Sequence, residues 1–151
     1  MSREVGSPVD GLVVALSEVP DPVFSQAMVG PGAAVTPRGG RQDALAPVAG
    51  TVSTLHPHAF VISTPEGTGI LVHLGIDTVK LRGEGFALHV SEGDAVVAGQ
   101  PVVSWDPGSV EQQGFSAVCP VVVLDVAPEA LGDLREGSPV VAGDPLFALE
   151  A

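Results

Sequence analysis

The sequence predicts an all-β protein made of two similar β units packed on each other. Three observations carry this. Glycine (19) and proline (14) recur along the 151 residues and punctuate short apolar runs, as in many strands joined by tight turns. "EGDAVVAGQPVVSWD" (92–106) matches "EGSPVVAGDPLFALE" (136–150) without a gap. Proline also leads three Val-rich starts, "SPVDGLVVAL" near residue 7, "APVAGTVSTL" near 46 and "CPVVVLDV" near 119. This repetition fits two related units and not a solenoid, which needs more copies.

The apolar runs predict strands over 11–16, 48–55, 59–63, 69–73, 86–89, 95–98, 101–105, 118–126, 139–141 and 145–149. "DPVFSQAMVG" (21–30) is the helical candidate, with Asp21 as N-cap, Pro22 at the first helical position and Gly30 as its end. "VEQQGFS" (110–116) and "APEALGDL" (127–134) each suit a helical turn or two. No linker divides the chain. Residues 1–151 read as one domain, with 1–6 a short flexible N-terminal arm. Hydrophobic residues make up 45% and charged residues 16%, which excludes a disordered polymer. Aromatics are 4%, so Val, Leu, Ile and Ala must build the core.

A formal net charge of −12 excludes nucleic acid as a partner, because binding it depends on Lys and Arg displacing counterions. An acidic surface instead attracts a basic protein patch. Cys119 is the only cysteine and reads as a small core residue. The first residues show no signal-peptide pattern, and no apolar run reaches the roughly 18 residues of a membrane span. The expectation is a soluble, cytoplasmic protein.

Two of the four histidines stand at the mouths of neighbouring apolar runs, His58 in "HPHAFVIS" and His73 in "ILVHLGIDTV". "STPEGTG" between the runs predicts a hairpin turn. If it centres on Pro65-Glu66, His58 and His73 face each other. Three readings compete. The rings are half-buried core histidines, or "HPH" supplies His56 and His58 with His73 as a His₃ zinc set, or one imidazole is a nucleophile and the other its polar neighbour.

At this point the sequence resembles a known family. "HAF…LVHLGIDTVKLRGEGF" is similar to the signature of the glucose-family enzyme IIA domain of the bacterial phosphotransferase system. The likeness extends to "EVPDPVFSQAMVGPGAAVTP", "APVAGTV" and "SAVCPVVV", covering nearly the whole chain in order. The resemblance implies an antiparallel β-sandwich of two related halves, the duplicated hybrid motif, with one or two short helices. It implies a sugar phosphotransferase component that takes a phosphoryl group from the phosphocarrier HPr on a histidine. That group then passes to a cysteine on the enzyme IIB domain of a sugar transporter. The active histidine matches His73 and the second family histidine matches His58. On this reading one ring nitrogen of His73 is bare, and the other is held as a donor by a carbonyl of the Gly75 turn. His58 donates to a phosphoryl oxygen.

The family's partner patch maps onto Val23, Phe24, Met28, Val29, Leu71 and Val79, with Asp21, Asp77 and Glu84 as an acidic rim. No cofactor is implied, and zinc at His58/His73 would be adventitious or regulatory. The resemblance leaves open whether the unphosphorylated form also regulates other transporters or kinases. Well-known members have a longer N-terminal segment that meets membranes, so direct membrane insertion is not expected here. Many members carry threonine where this chain has His56, and an acidic residue where it has Lys80. Two rival readings remain at this stage. A zinc hydrolase of similar sandwich fold lacks an upstream His-x₃-Asp here. A biotinyl- or lipoyl-like carrier needs a lysine at a hairpin tip, whereas Lys80, the one lysine, follows "GIDTV".

Overall fold

The computed structural model describes residues 2–150. Its strands are β1 (Ser2–Gly6), β2 (Gly11–Ala15), β3 (Gly32–Pro37), β4 (Gln42–Leu45), β5 (Gly50–His56), β6 (Ala59–Ser63) and β7 (Gly69–His73). There follow β8 (Ala87–Leu88), β9 (Ala95–Val96), β10 (Pro101–Trp105), β11 (Cys119–Val123), β12 (Leu131–Gly132), β13 (Pro139–Val140) and β14 (Pro145–Glu150). Two short helices, α1 (Pro22–Ser25) and α2 (Pro107–Gln112), and three 3-10 turns complete the chain. An eight-stranded sheet runs β13-β2-β3-β11-β7-β6-β5-β9, and two three-stranded sheets run β1-β14-β12 and β4-β10-β8. Every pairing is antiparallel. The architecture is the β-sandwich expected from the sequence.

The sequence repeat is a repeat of hydrogen bonds. β9 pairs with β5 as β13 pairs with β2. β10 lies between β4 and β8 as β14 lies between β1 and β12. The turn bonds match one for one. Gly99 N–H donates to the Ala46 carbonyl as Gly143 N–H donates to that of Ser7, and Gly93 donates to Val52 as Gly137 donates to Val13. The Gly and Pro punctuation therefore marks equivalent turns in two halves.

The main core is built from Val, Ile, Leu and Ala of all three sheets, with Trp105, Phe60 and Phe147 as its largest fully buried side chains. β11 is the central strand, with all five residues buried. Cys119 starts it and is fully buried; desolvation pushes its thiol pKa up, so it stays a packed, protonated thiol. A second apolar cluster of Leu16, Val19, Phe24, Ala34, Ile76, Val118 and Val122 lies apart from the main core. It carries the site described below.

Three expectations need correction. Residues 2–6 are not an arm but strand β1, which pairs with β14 and buries Val5 completely opposite Phe147. β3 and β4 have no counterpart among the expected strands, and β3 is buried through small residues, Ala33 and Ala34, which give no strong apolar signal. The helix expected over 21–30 ends at Ser25. The Asp21 carboxylate caps it by accepting from Val23 N–H, as expected. However, Ala27 turns left-handed (φ 55°). Ala27 N–H then donates to the Phe24 carbonyl and Met28 N–H to that of Val23, a Schellman termination. The chain is thereby turned away long before Gly30.

Removing residues 1–6 is expected to lower the free energy of unfolding by at least the ~1.5–3 kcal/mol that one buried Val contributes. Chemical denaturation measures it, and an unchanged midpoint would restore the flexible-arm reading.

Candidate functional site

β7 alternates its residues between two apolar layers. Ile70 and Val72 are fully buried in the main core, while Leu71 and His73 are half-buried on the opposite face. Leu71 and Val29 pack against the second cluster. The His73 ring lies 5.3 Å from that of Phe24, tilted by 59°. Phe24 itself is only 7% exposed, so it backs the histidine and offers little contact surface of its own. Val23 and Met28 at either end of the α1 turn are 44% and 70% exposed, and Val79, in the 3-10 turn that follows Asp77, is 58% exposed. The Schellman turn after α1 is what separates Met28, sent outward, from Phe24, kept inside.

The turn after β7 fixes the chemistry of the His73 ring. Its Nδ1 lies 2.5 Å from the carbonyl oxygen of Gly75. A carbonyl can only accept, so Nδ1 carries the proton and Nε2 is the bare nitrogen. Gly75 has φ +83°, and a Cβ there would come within 2.7 Å of Thr78 Cγ2 and 2.8 Å of the Ser116 carbonyl. Only glycine fits both the dihedral and the space. The Thr78 hydroxyl, fully buried, donates to the Leu74 carbonyl, and Ile76 N–H donates to that of Ser116. Thr78 and Ser116 are thus parts of the site that the sequence did not single out, because their roles exist only once the turn has closed.

His58 reaches the same place from the neighbouring hairpin. The register is one residue from that expected: Ala59, not His58, opposes His73. "HPHA" is a tight turn between β5 and β6, with His56 opposite Ala59, so His-x-His here is not a strand face. Leu74 N–H donates to the His58 carbonyl and extends the pairing past the strand end. The His58 ring meets that of His73 edge-on, 5.2 Å between centroids at 74°. His56 stacks on the far side of His58 at 5.7 Å and 27°. The three rings form a row, and no group of three or more His, Cys, Asp or Glu among the described residues is arranged to hold a metal ion.

Burial, then repulsion from His73 and from His56, push the His58 imidazole down to about 4. Burial also lowers His73, opposed by its bond to Gly75 and then by Asp21 and Asp77. Both rings are therefore neutral at neutral pH, and His73 keeps an unprotonated nitrogen in a largely apolar surround. Asp77, which acts on His73, is exposed; Lys80, Arg82 and Glu84 are exposed further along the chain, Glu84 lining a hollow with Arg41, Phe86 and Asp106.

Comparison with known proteins identifies the family. Residues 3–128 match the model of the EIIA 1 family of the phosphoenolpyruvate-dependent sugar phosphotransferase system. The chain belongs to this family.

The glucose-specific EIIA component of Halalkalibacterium halodurans is 40% identical over 140 residues, covering 91% of this chain and 80% of that one. The beta-glucoside-specific EIIBCA component of Bacillus subtilis is 40% identical over 151 residues, or 98% of this chain but 24% of the longer relative. The solved glucose permease IIA of Mycoplasma capricolum superposes with a TM-score of 0.92 at 36% identity, covering 99% of this chain and 97% of that one. This EIIA chain is a phosphocarrier component of a sugar phosphotransferase system, with the fold of its relatives. The hydrolase and biotinyl-type readings gain no support, and Lys80 sits in a 3-10 turn over Thr78–Leu81, not at a hairpin tip. No helix among the described residues is long and apolar enough to cross a membrane.

The pH dependence follows from the lowered His58. The unfolded chain binds a proton on this residue near 6.5, whereas the folded one resists it down to about 4. This share of stability is complete above 6.5 and is lost as pH falls from 6.5 toward 4. Proton NMR of the His58 ring should give a midpoint far below 6.5, and His58→Gln should flatten the fall of unfolding free energy in that window. A His58 midpoint at its ordinary value would refute the packed-ring account.

Proposed function

We propose that His73 accepts the phosphoryl group on Nε2 from phospho-HPr and passes it to the cysteine of an enzyme IIB domain. The observation that carries this is the Nδ1 proton held by the Gly75 carbonyl, which leaves Nε2 as the nucleophile. In the first step the Nε2 lone pair attacks phosphorus, the bond to the donor imidazole breaks, and that ring regains its bare nitrogen. His73 keeps the Nδ1 proton, so its ring becomes a cation against the Gly75 carbonyl, with Asp21 and Asp77 nearby. In the second step a cysteine thiolate attacks phosphorus, the Nε2–P bond breaks, and His73 returns to its neutral state. The protein's work in both steps is positioning and charge stabilisation.

His58 is the proposed donor to the phosphoryl oxygens. A phosphoryl dianion on His73 favours a protonated His58 ring, which the free protein disfavours, so the two rings suit the loaded state. Val23, Met28 and Val79 form the apolar docking surface, over Phe24, Val29 and Leu71. Asp77 and Glu84 supply the acidic rim that steers a basic donor. Enzyme IIB as acceptor is supported by relatives that carry EIIB and EIIC in the same chain as EIIA. Work in this relay puts the chain in the cytoplasm, where it meets both partners.

Rapid-quench kinetics of the two half-reactions test the reading. His73→Ala should take up no label. His58→Gln should accept phosphate at a near-normal rate and transfer it ~100- to 1,000-fold more slowly, as for loss of one preorganised donor. Full labelling of His73→Ala would end the assignment of the acceptor. Equal slowing of both steps would reduce His58 to a shaping role.

A further inference from the structure

We propose that His56 is a positioning residue for the transfer step: its ring is the wall that holds the His58 imidazole in place beside His73. This rests on the reading above, in which His58 meets the phosphoryl group.

The argument begins with how differently the two rings are held. His73 is locked by a hydrogen bond to Gly75 and by the Phe24 ring. The His58 ring nitrogens have no hydrogen-bond partner among the described residues, which leaves them free to serve a phosphoryl oxygen. Something other than a hydrogen bond must then set the ring's orientation. Its aromatic neighbours are His73, met edge-on, and His56, stacked nearly parallel at 5.7 Å. That separation lies within the range of stabilising aromatic pairs.

His56 is well placed for this task. It is the last residue of β5, across the tight turn from Ala59. The Glu92 carboxylate accepts from Leu55 N–H just before it. The intervening Pro57 has a fixed φ and packs against Gly83, where a Cβ would come 3.2 Å from Pro57 Cγ. The backbone that carries both rings is therefore stiff, and the stack converts that stiffness into a fixed His58 ring. His56 itself is exposed and touches no reacting atom in this reading.

The test separates a stacking face from a charge or a hydrogen bond. His56→Phe keeps the planar face without ring nitrogens, His56→Gln keeps polar atoms without the ring, and His56→Ala removes both. Carbon relaxation of the His58 ring in the unphosphorylated protein should show a more mobile ring in the Ala and Gln variants and wild-type order in the Phe variant. Single-turnover transfer from phosphorylated protein to enzyme IIB should slow about tenfold in the Ala variant, equivalent to ~1.4 kcal/mol. The Phe variant should recover to within about twofold of wild type. Unchanged His58 order in the Ala variant, or a Phe variant as slow as Ala, would overturn the proposal. Intact ring-order effects with no label on His73 would instead overturn the phosphoryl reading and leave the stack standing.

Discussion

The contact between His73 Nδ1 and the Gly75 carbonyl is the interaction on which the rest of the site depends. A histidine chooses between two tautomers, and an acceptor-only partner on one nitrogen decides which nitrogen is bare. That partner is available only because the chain turns back at Gly75 with a positive φ, in space too tight for any side chain. The turn is fastened in its turn by the Thr78 hydroxyl and by Ile76 N–H, which tie it to β7 and to the segment before β11. A single carbonyl direction thus links the end of β7 to the protonation of one imidazole.

The duplicated architecture explains why such a turn can be rigid. β7 lies between β6 and β11 near the middle of the large sheet, so its end is supported on both sides. Packing also supplies the environment. The second apolar cluster seats Phe24 under His73, while the hairpin turn brings His58 and His56 alongside. Desolvation keeps both rings of the His58–His73 pair neutral, and the carboxylates of Asp21 and Asp77 temper this for His73 alone. One sheet end therefore presents a neutral imidazole with one bare nitrogen, backed by Phe24 and flanked by His58.

Much of this was legible from residues. The Glu-Gly and Ala-Gly echoes announced two halves because identical turns need identical punctuation. Strands over 59–63, 69–73 and 101–105 followed from apolar runs with clear turn signals on both sides. His73 could be placed at a strand end from its apolar run, and the family resemblance pointed to a carbonyl of the Gly75 turn; that it is Gly75's own carbonyl comes from the structure. Apart from β3, whose alanines give a weak apolar signal, the failures are long-range or conformational. β1 reads as a polar arm until Phe147, far along the chain, pairs with Val5. The one-residue slip of His58 arises because "HPHA" forms its own tight turn, which changes which residue opposes His73. Phe24 and Met28 look alike in "PVFSQAM", and only the left-handed Ala27 sends one inward and the other out.

The central claim is that the fold fixes the His73 tautomer and so selects Nε2 for the phosphoryl group. Nitrogen NMR of histidine-labelled protein, before and after phosphorylation through the donor relay, reads both states directly. The account expects a protonated Nδ1 and a bare Nε2 in the free protein, and phosphorus coupling to Nε2 with Nδ1 still protonated in the loaded one. A free protein protonated on Nε2, or a phosphoryl group bonded to Nδ1, would contradict it.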